Sequence, residues 1–224
     1  MNFLELSPMP FITEKVRCVR LELSDATFRC FRICRFDAGE YLYTEGMQAG
    51  YLLILLAGSC KVFKTLENGR SVLLCRYDDI QILGEFELFG EPSAKTNVQA
   101  LTETYCLIAF IKEQQTQLLA DNTFLRFVCR KTCAKTERNN VNLATNLVYP
   151  LEQRLAGYIL SMQNDALFSA NYTLLSEYLG CSLRHLLRTF RGLCEKGLLQ
   201  KTKAGYRLTD PRSLEKIAGA VYRQ

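Results

Sequence analysis

The sequence predicts an α+β chain in three consecutive parts: an N-terminal β-roll, a long helix, and a C-terminal helix-turn-helix followed by a hairpin. Three observations carry that expectation. Short apolar runs punctuated by glycine fill residues 34–111, the texture of antiparallel strands joined by tight turns. Neither Gly nor Pro occurs between Thr123 and Tyr149, so one uninterrupted helix fits there. Two short helical patterns separated by a glycine, then a glycine-turned hairpin, occupy residues 173–208. The expected boundaries are 1–112 for the roll with its N-terminal helix, 113–148 for the long-helix region and 149–224 for the C-terminal domain. A chain of 224 residues has room for two compact domains.

The first 25 or so residues read as helical and loosely amphipathic. Gly39, Gly46, Gly50, Gly58, Gly69, Gly84 and Gly90 then separate short strands. The run Tyr51–Ala57 is apolar, short and flanked by glycines, which suits a buried strand and falls far below membrane-spanning length. Glu67-Asn68-Gly69-Arg70 is a hairpin turn between Cys60–Phe63 and Val72–Cys75. Asp121 or Asn122 can cap the long helix. Phe127, Ala134, Val141 and Val148 repeat every seven residues along it, but the second seam holds Lys131, Arg138 and Thr145, a weak coiled-coil pattern. A long helix that cannot bury itself within its own chain is expected to form a homodimer. Pro150 is expected at position N1 of the next helix, whose core face is Leu151, Leu155, Ile159 and Met162.

The most informative pattern lies further on. Thr173–Leu179 reads as a short helix, Gly180 as its stop, and Ser182 as the N-cap of a helix over 183–196. Arg184, Arg188 and Arg191 share one face of that helix, while Leu186, Phe190 and Leu193 form another that can anchor it. Gly197 suits the C′ position, and the strands flanking Lys203-Ala204-Gly205 make a wing that carries Lys201, Lys203 and Arg207. A helix-turn-helix whose second helix is cationic on its free side suits a DNA major groove. Arginine there can grip guanine O6/N7 or a phosphate. From Cys181 to Arg212 eight cations meet two acids, a net charge of +6 in a chain whose total is +5. A basic patch confined to one small domain on a neutral body is the electrostatic footprint of a nucleic-acid reader. Double-stranded DNA is therefore the expected partner.

Other classes find less support. There is no P-loop, no metal-ligand cluster and no Ser/His/Asp arrangement, and the one histidine, His185, is committed to the cationic helix, so an enzyme is not expected. The N-terminus lacks the features of a signal peptide, so a cytoplasmic location without membrane attachment is expected. Ten cysteines with no C-x-x-C pair read first as small buried hydrophobes. Redox sensing comes second, with Cys129 and Cys133 on one helix face, and an iron–sulfur or zinc site comes last. A reading from another class is a ligand- or redox-sensing adaptor whose C-terminal domain binds protein rather than DNA.

The order of parts, together with Phe36-Asp37-Ala38-Gly39-Glu40, Glu45-Gly46, Ile54–Gly58, Asn68-Gly69-Arg70, Gly84-Glu85-Phe86-Glu87-Leu88, Glu177–Ser182, Arg188 and Gly197-Leu198-Leu199, resembles the Crp/Fnr family of bacterial transcription regulators. Within it, Tyr178–Leu187 and Gly197–Tyr206 look most like the YeiL-like branch. The resemblance implies a cyclic-nucleotide-binding-type β-roll, a dimerisation helix and a winged helix-turn-helix that recognises an inverted repeat. It also implies contact with RNA polymerase if the protein is an activator. Ser182, Arg184, His185, Arg188, Arg191, Lys201 and Lys203 are then the expected DNA-binding residues. Gly84, Glu85 and Lys95 are the expected effector pocket.

Departures from the family narrow the effector. Members that bind cAMP hold its phosphate with an Arg-Ser pair, whereas this stretch reads Glu91–Val98 and no arginine occurs between Arg76 and Arg126. Lys95 cannot reproduce a bidentate grip. The resemblance therefore argues against cAMP. It argues equally against haem, since no histidine occurs in the sensory part, and Cys18, Cys30 and Cys34 do not reproduce the cysteine spacing of the iron–sulfur branch. The effector stays unknown. Where well-studied branches carry a glutamate and then an arginine on the reader helix, this chain carries Arg184 and Arg188, so its operator should differ from the usual family box.

Overall fold

The computed structural model describes residues 1–4, 10–67, 71–90, 93–163, 165–219 and 221. Internal contacts divide the chain into two units, Met1–Glu137 and Arg138–Gln224. The first contains β1 (Asn2–Leu4), α1 (Pro10–Leu21), α2 (Asp25–Phe28), β2 (Arg32–Phe36), β3 (Tyr41–Tyr43), β4 (Tyr51–Ala57), β5 (Cys60–Thr65), β6 (Ser71–Tyr77), β7 (Gln81–Leu83), α3 (Glu85–Phe89), β8 (Asn97–Ala100), β9 (Thr104–Phe110) and α4 (Ile111–Ala120). Its strands form two antiparallel sheets, ordered β1-β2-β9-β4-β7 and β3-β8-β5-β6.

One apolar core lies between the sheets and draws Leu53, Leu55 and Ile108 from the first and Val62, Cys75 and Val98 from the second. A second core covers the outer face of the first sheet, where Ile12, Val16, Val19, Phe124 and Phe127 pack on Leu52, Ile54 and Leu56. Strand β4 is thus buried on both faces, which is why it reads as a continuous apolar run rather than an alternating one. After it, Gly58 turns at φ +89°, and a Cβ there would collide with the Glu103 carbonyl oxygen, so only glycine fits. The β5–β6 hairpin forms with Val62 opposite Cys75, while its Asn68-Gly69-Arg70 turn lies outside the described residues.

The N-terminus departs from the helical expectation. Residues 2–4 form an edge strand, Asn2 opposite Arg35 and Leu4 opposite Ile33. Three residues are too short to show a period, so the free edge of β2 decides their conformation.

The long helix α5 (Asn122–Val148) spans 27 residues. Asp121 caps it by accepting the N–H groups of Thr123 at 2.8 Å and Phe124 at 3.3 Å, and it also accepts the hydroxyls of Ser24 and Thr27. Burial raises the Asp121 pKa, but these four hydrogen bonds outweigh it and bring the value to about 2. A carboxyl whose pKa is depressed by folding contributes stability above its unfolded value near 4 and loses it as pH falls through 2. Acid unfolding of Asp121→Asn should lack that component. A Tm–pH curve for the variant that parallels wild type between pH 4 and pH 2 would refute this role.

The heptad seam expected on α5 is interrupted. Phe127 is 1% exposed and belongs to the roll's core, whereas Val141 and Val148 are exposed. The helix region expected from residue 113 also begins with a separate helix, because Asp121 leaves α4 with extended backbone, φ −93° and ψ 104°.

The second unit contains α6 (Leu151–Met162), β10 (Leu167–Phe168), α7 (Tyr172–Tyr178), α8 (Leu183–Glu195), β11 (Leu199–Thr202), β12 (Gly205–Leu208) and α9 (Pro211–Ala218). The strands form a small sheet ordered β10-β12-β11. Pro150 is the N-cap of α6 rather than N1. Leu151, Leu155 and Ile159 enter the core as expected, but Met162, in the last turn, is 53% exposed. Phe190 centres the core: its ring stacks on Tyr206 at 4.4 Å and 10°, with Tyr172 edge-on at 5.8 Å. Buried Arg154 donates to the Tyr149 carbonyl at 3.0 Å through Nε, and through Nη1 to Asn146 Oδ1 at 2.7 Å and to the Leu179 carbonyl, so its charge is hydrogen-bonded at both of these nitrogens. Among the described residues no helix is long and apolar enough to cross a membrane.

Candidate nucleic-acid interface

Helix α8 is set by its ends and one sealed face. Ser182, at φ −73° and ψ 148°, accepts the His185 N–H through Oγ at 3.2 Å. At the other end Gly197 adopts φ +72°. The Leu198 N–H reaches the Leu193 carbonyl at 3.0 Å and the Gly197 N–H reaches the Cys194 carbonyl at 2.9 Å, the two bonds of a Schellman motif. Leu186, Phe190 and Leu193 are fully buried. With both termini satisfied and one stripe locked in the core, the helix has no freedom to roll, and the opposite side is fixed in space.

That opposite side is cationic. Arg184, His185, Arg188 and Arg191 are all exposed. Among the described residues none of the three guanidinium groups has a carboxylate partner or any hydrogen bond to the protein. A donor fork left to water on a rigid element can exchange water for base edges or phosphate oxygens at little cost. Lys196 differs: it pairs with Glu152 at 2.5 Å, beside an open groove lined by His185, Arg188 and Gly192. One of the eight cations of this region is therefore already neutralised locally.

The wing follows directly. Lys201 lies opposite Tyr206, and Gln200 opposite Arg207. Along β12 alternation buries Tyr206 and exposes Arg207, while Lys201, on the same sheet face as its partner Tyr206, and Lys203 are also exposed.

Of the expected effector residues, Gly84 immediately precedes Glu85, and Glu85 and Lys95 both act on Glu87. Gly84 turns at φ +93°, and a Cβ there would collide with Tyr43 Oη. Glu85 is 5% exposed and paired with Lys135 at 2.7 Å. Lys95 is exposed and acts on Glu87, whose carboxyl burial pushes up. Glu91 and Pro92 lie outside the described residues. Lys135 and Arg154 are the residues that sequence reasoning missed. Each is a cation on a helix face otherwise given to the core, and a cation there needs a buried partner.

The cysteines separate by burial. Cys34, Cys60, Cys75 and Cys106 sit inside the roll. Burial pushes the thiols of Cys34 and Cys60 up to about 12. Cys129 and Cys133 are exposed on α5, and a hydrogen bond from one to the other raises the Cys133 thiol. In thiol labelling at pH 8, Cys18 should react in the native protein and the four roll cysteines only after unfolding. Labelling of all five at one rate would contradict the packed roll.

A roll, a long helix and a winged helix with exposed arginines on its free face define a DNA-binding regulator. The comparisons with known proteins agree. A cyclic nucleotide-binding domain matches residues 33–122, and a Crp-like helix-turn-helix domain matches 153–217. Regulatory protein YeiL of Escherichia coli O157:H7 is 35% identical over 205 residues, 88% of this chain and 94% of that protein. A CRP-family transcriptional regulator from Thermus thermophilus shares the fold with a TM-score of 0.70 at 21% identity, over 84% of this chain and 97% of its own. So does the c-di-GMP-responsive regulator CLP of Xanthomonas campestris, with a TM-score of 0.70 at 16% identity, over 84% and 100%. The chain belongs to the Crp/Fnr family of transcription regulators, and its function is DNA binding rather than enzyme catalysis.

Proposed function

We propose that the protein is a homodimer that reads an inverted repeat through the helix over 183–196. Arg184 and Arg188 contact base edges, and Ser182, His185, Arg191, Lys201 and Lys203 hold phosphates. The observation that carries this reading is the row of exposed arginines, unpaired among the described residues, opposite a fully buried stripe and flanked by a basic wing. Two arginines at reading positions select guanine, so the half-sites differ from boxes read by a glutamate–arginine pair. Two-fold symmetry sets the half-sites about one helical turn apart. RNA polymerase is a further partner if the protein activates.

Dimerisation through α5 is supported by a different stripe from the one the sequence suggested. Cys129, Cys133, Thr136, Asn140, Leu143 and Leu147 are all exposed and follow one another at spacings of 4, 3, 4, 3 and 4. That is a heptad seam, here on the side of the helix away from Phe124 and Val128. Asn140 within it would favour one register. The occupant is a second copy of the same seam, which brings Cys129 and Cys133 near their symmetry mates and makes them the thiols through which oxidation would act on the dimer.

Binding-site selection followed by duplex titration across salt concentrations tests the reading. We expect recovery of a guanine-containing inverted repeat and a steep fall of affinity with salt. Oxidised glutathione should link two chains by exchange through a mixed disulfide, releasing two glutathione thiols, and Cys129→Ser/Cys133→Ser should not be linked. Salt-insensitive binding to a protein partner without duplex affinity would favour the adaptor reading instead.

A further inference from the structure

Helix α5 presents two lysines, one turn apart, to the edge of the roll. Lys131 Nζ donates to the Ile80 carbonyl at 2.9 Å. Lys135 Nζ donates to the Ile82 carbonyl and to Glu85 Oε1 at 2.7 Å, and it stands 5.3 Å from the centroid of the Tyr77 ring. The Lys135 and Glu85 side chains are only 10% and 6% exposed. A second carboxylate, Glu87, is buried on the same short helix and feels the charges of both Glu85 and Lys135.

The chemistry of this site has a sign. Carboxylate, carbonyl oxygen and aromatic face are the groups that recognise a cation, and here they surround one ammonium. The site lies within the stretch that matches a cyclic nucleotide-binding domain, immediately after Gly84. A cyclic phosphate brought there would meet two carboxylates, and Glu85 already accepts from Lys135. Lys95 lies exposed at the surface. The residues present do not fit a cyclic nucleotide.

We propose that the polar site of this roll is an ammonium site, and that the chain fills it in cis with Lys135. Roll and long helix are thereby joined by an intrachain pair in place of a cyclic nucleotide. The ligand class the site admits is a primary alkylammonium, not an anion. In the intact protein the tethered lysine excludes it, because its effective concentration is far above that of a free amine. The pair is also all-or-none: withdrawing Lys135 would leave Glu85 charged in a nearly dry pocket, which a buried carboxylate does not tolerate.

Chemical rescue in the full-length chain tests this. Lys135→Ala should lower the Tm by roughly 10 °C, since it strands one member of a buried pair. n-Butylammonium chloride should restore several degrees of that loss relative to sodium chloride at equal ionic strength. Wild type should not respond, and Lys135→Ala/Glu85→Gln, which lacks the carboxylate that Lys135 pairs with, should not respond either. Equal shifts in all three proteins, no amine-specific shift in Lys135→Ala, or a rise in wild-type Tm with cAMP would overturn the proposal. If Lys135→Ala does not fold, Lys135→Met and Lys135→Met/Glu85→Gln replace it. The double variant must be the more stable of the two, and the reverse order overturns the proposal. Every arm reads thermal stability, so the outcome is independent of the DNA sequence the protein binds.

Discussion

Arg188→Ala should weaken binding to the selected duplex by about 10- to 100-fold, the usual cost of about 1–3 kcal/mol for losing a bidentate contact to a base. It should also relax sequence preference at one position of each half-site. The expectation follows from geometry and from what the side chain lacks. Arg188 is exposed on a helix capped at both ends, and among the described residues it has no carboxylate partner to surrender before reaching a base. Truncation therefore removes an intermolecular contact without disturbing an intramolecular one, and Tm should be nearly unchanged. Arg184→Ala should behave alike at a neighbouring position. Arg191→Ala provides the contrast: without its grip on a phosphate, all duplexes should bind uniformly more weakly and the salt slope should fall by about one. If Arg188→Ala loses affinity equally for every sequence, base reading by this residue is wrong.

Phe190→Ala should destabilise the second unit by about 3–5 kcal/mol, the range for deleting a fully buried aromatic side chain. In a unit of this size that is a fall in Tm of more than about 10 °C. Phe190 is fully buried, stacks on Tyr206 of the wing at 4.4 Å and lies at 6.1 Å from Phe168. It therefore joins the arginine-bearing helix to the hairpin that follows it. Its loss leaves a cavity that three surrounding rings cannot close. Phe190→Leu, which keeps most of the volume, should cost less than half as much, and duplex binding should recover with it at low temperature. A change in Tm of only about 2–3 °C for Phe190→Ala would show that the core is not organised around this ring.

Much of this was legible in the sequence because the signals are local. The double-sided burial of β4 shows in its unbroken apolar run. Helix α8 announces itself through Ser182, Gly197 and the separation of Arg184, Arg188 and Arg191 from Leu186, Phe190 and Leu193. These features depend on residues within a few positions of each other, and backbone geometry converts such spacing into a face or a cap without reference to the rest of the chain. The family resemblance rests on the same kind of short, ordered motif.

Other features depended on partners remote in sequence. The strand character of residues 2–4 comes from Arg32–Phe36, the burial of Phe127 from the outer face of the roll, and the charge state of the roll's polar site from Lys135, fifty residues after Glu85. A lysine on a helix reads as a solvated cation until the fold shows a carboxylate, a carbonyl and a ring around it. The sequence by itself determined the order of the parts, the arginine-bearing helix and its cationic face, because periodicity and capping are local. Only the tertiary structure decided which cation meets which anion in the roll and which stripe of α5 is left bare, because burial and charge pairing are properties of contacts that close long loops of chain.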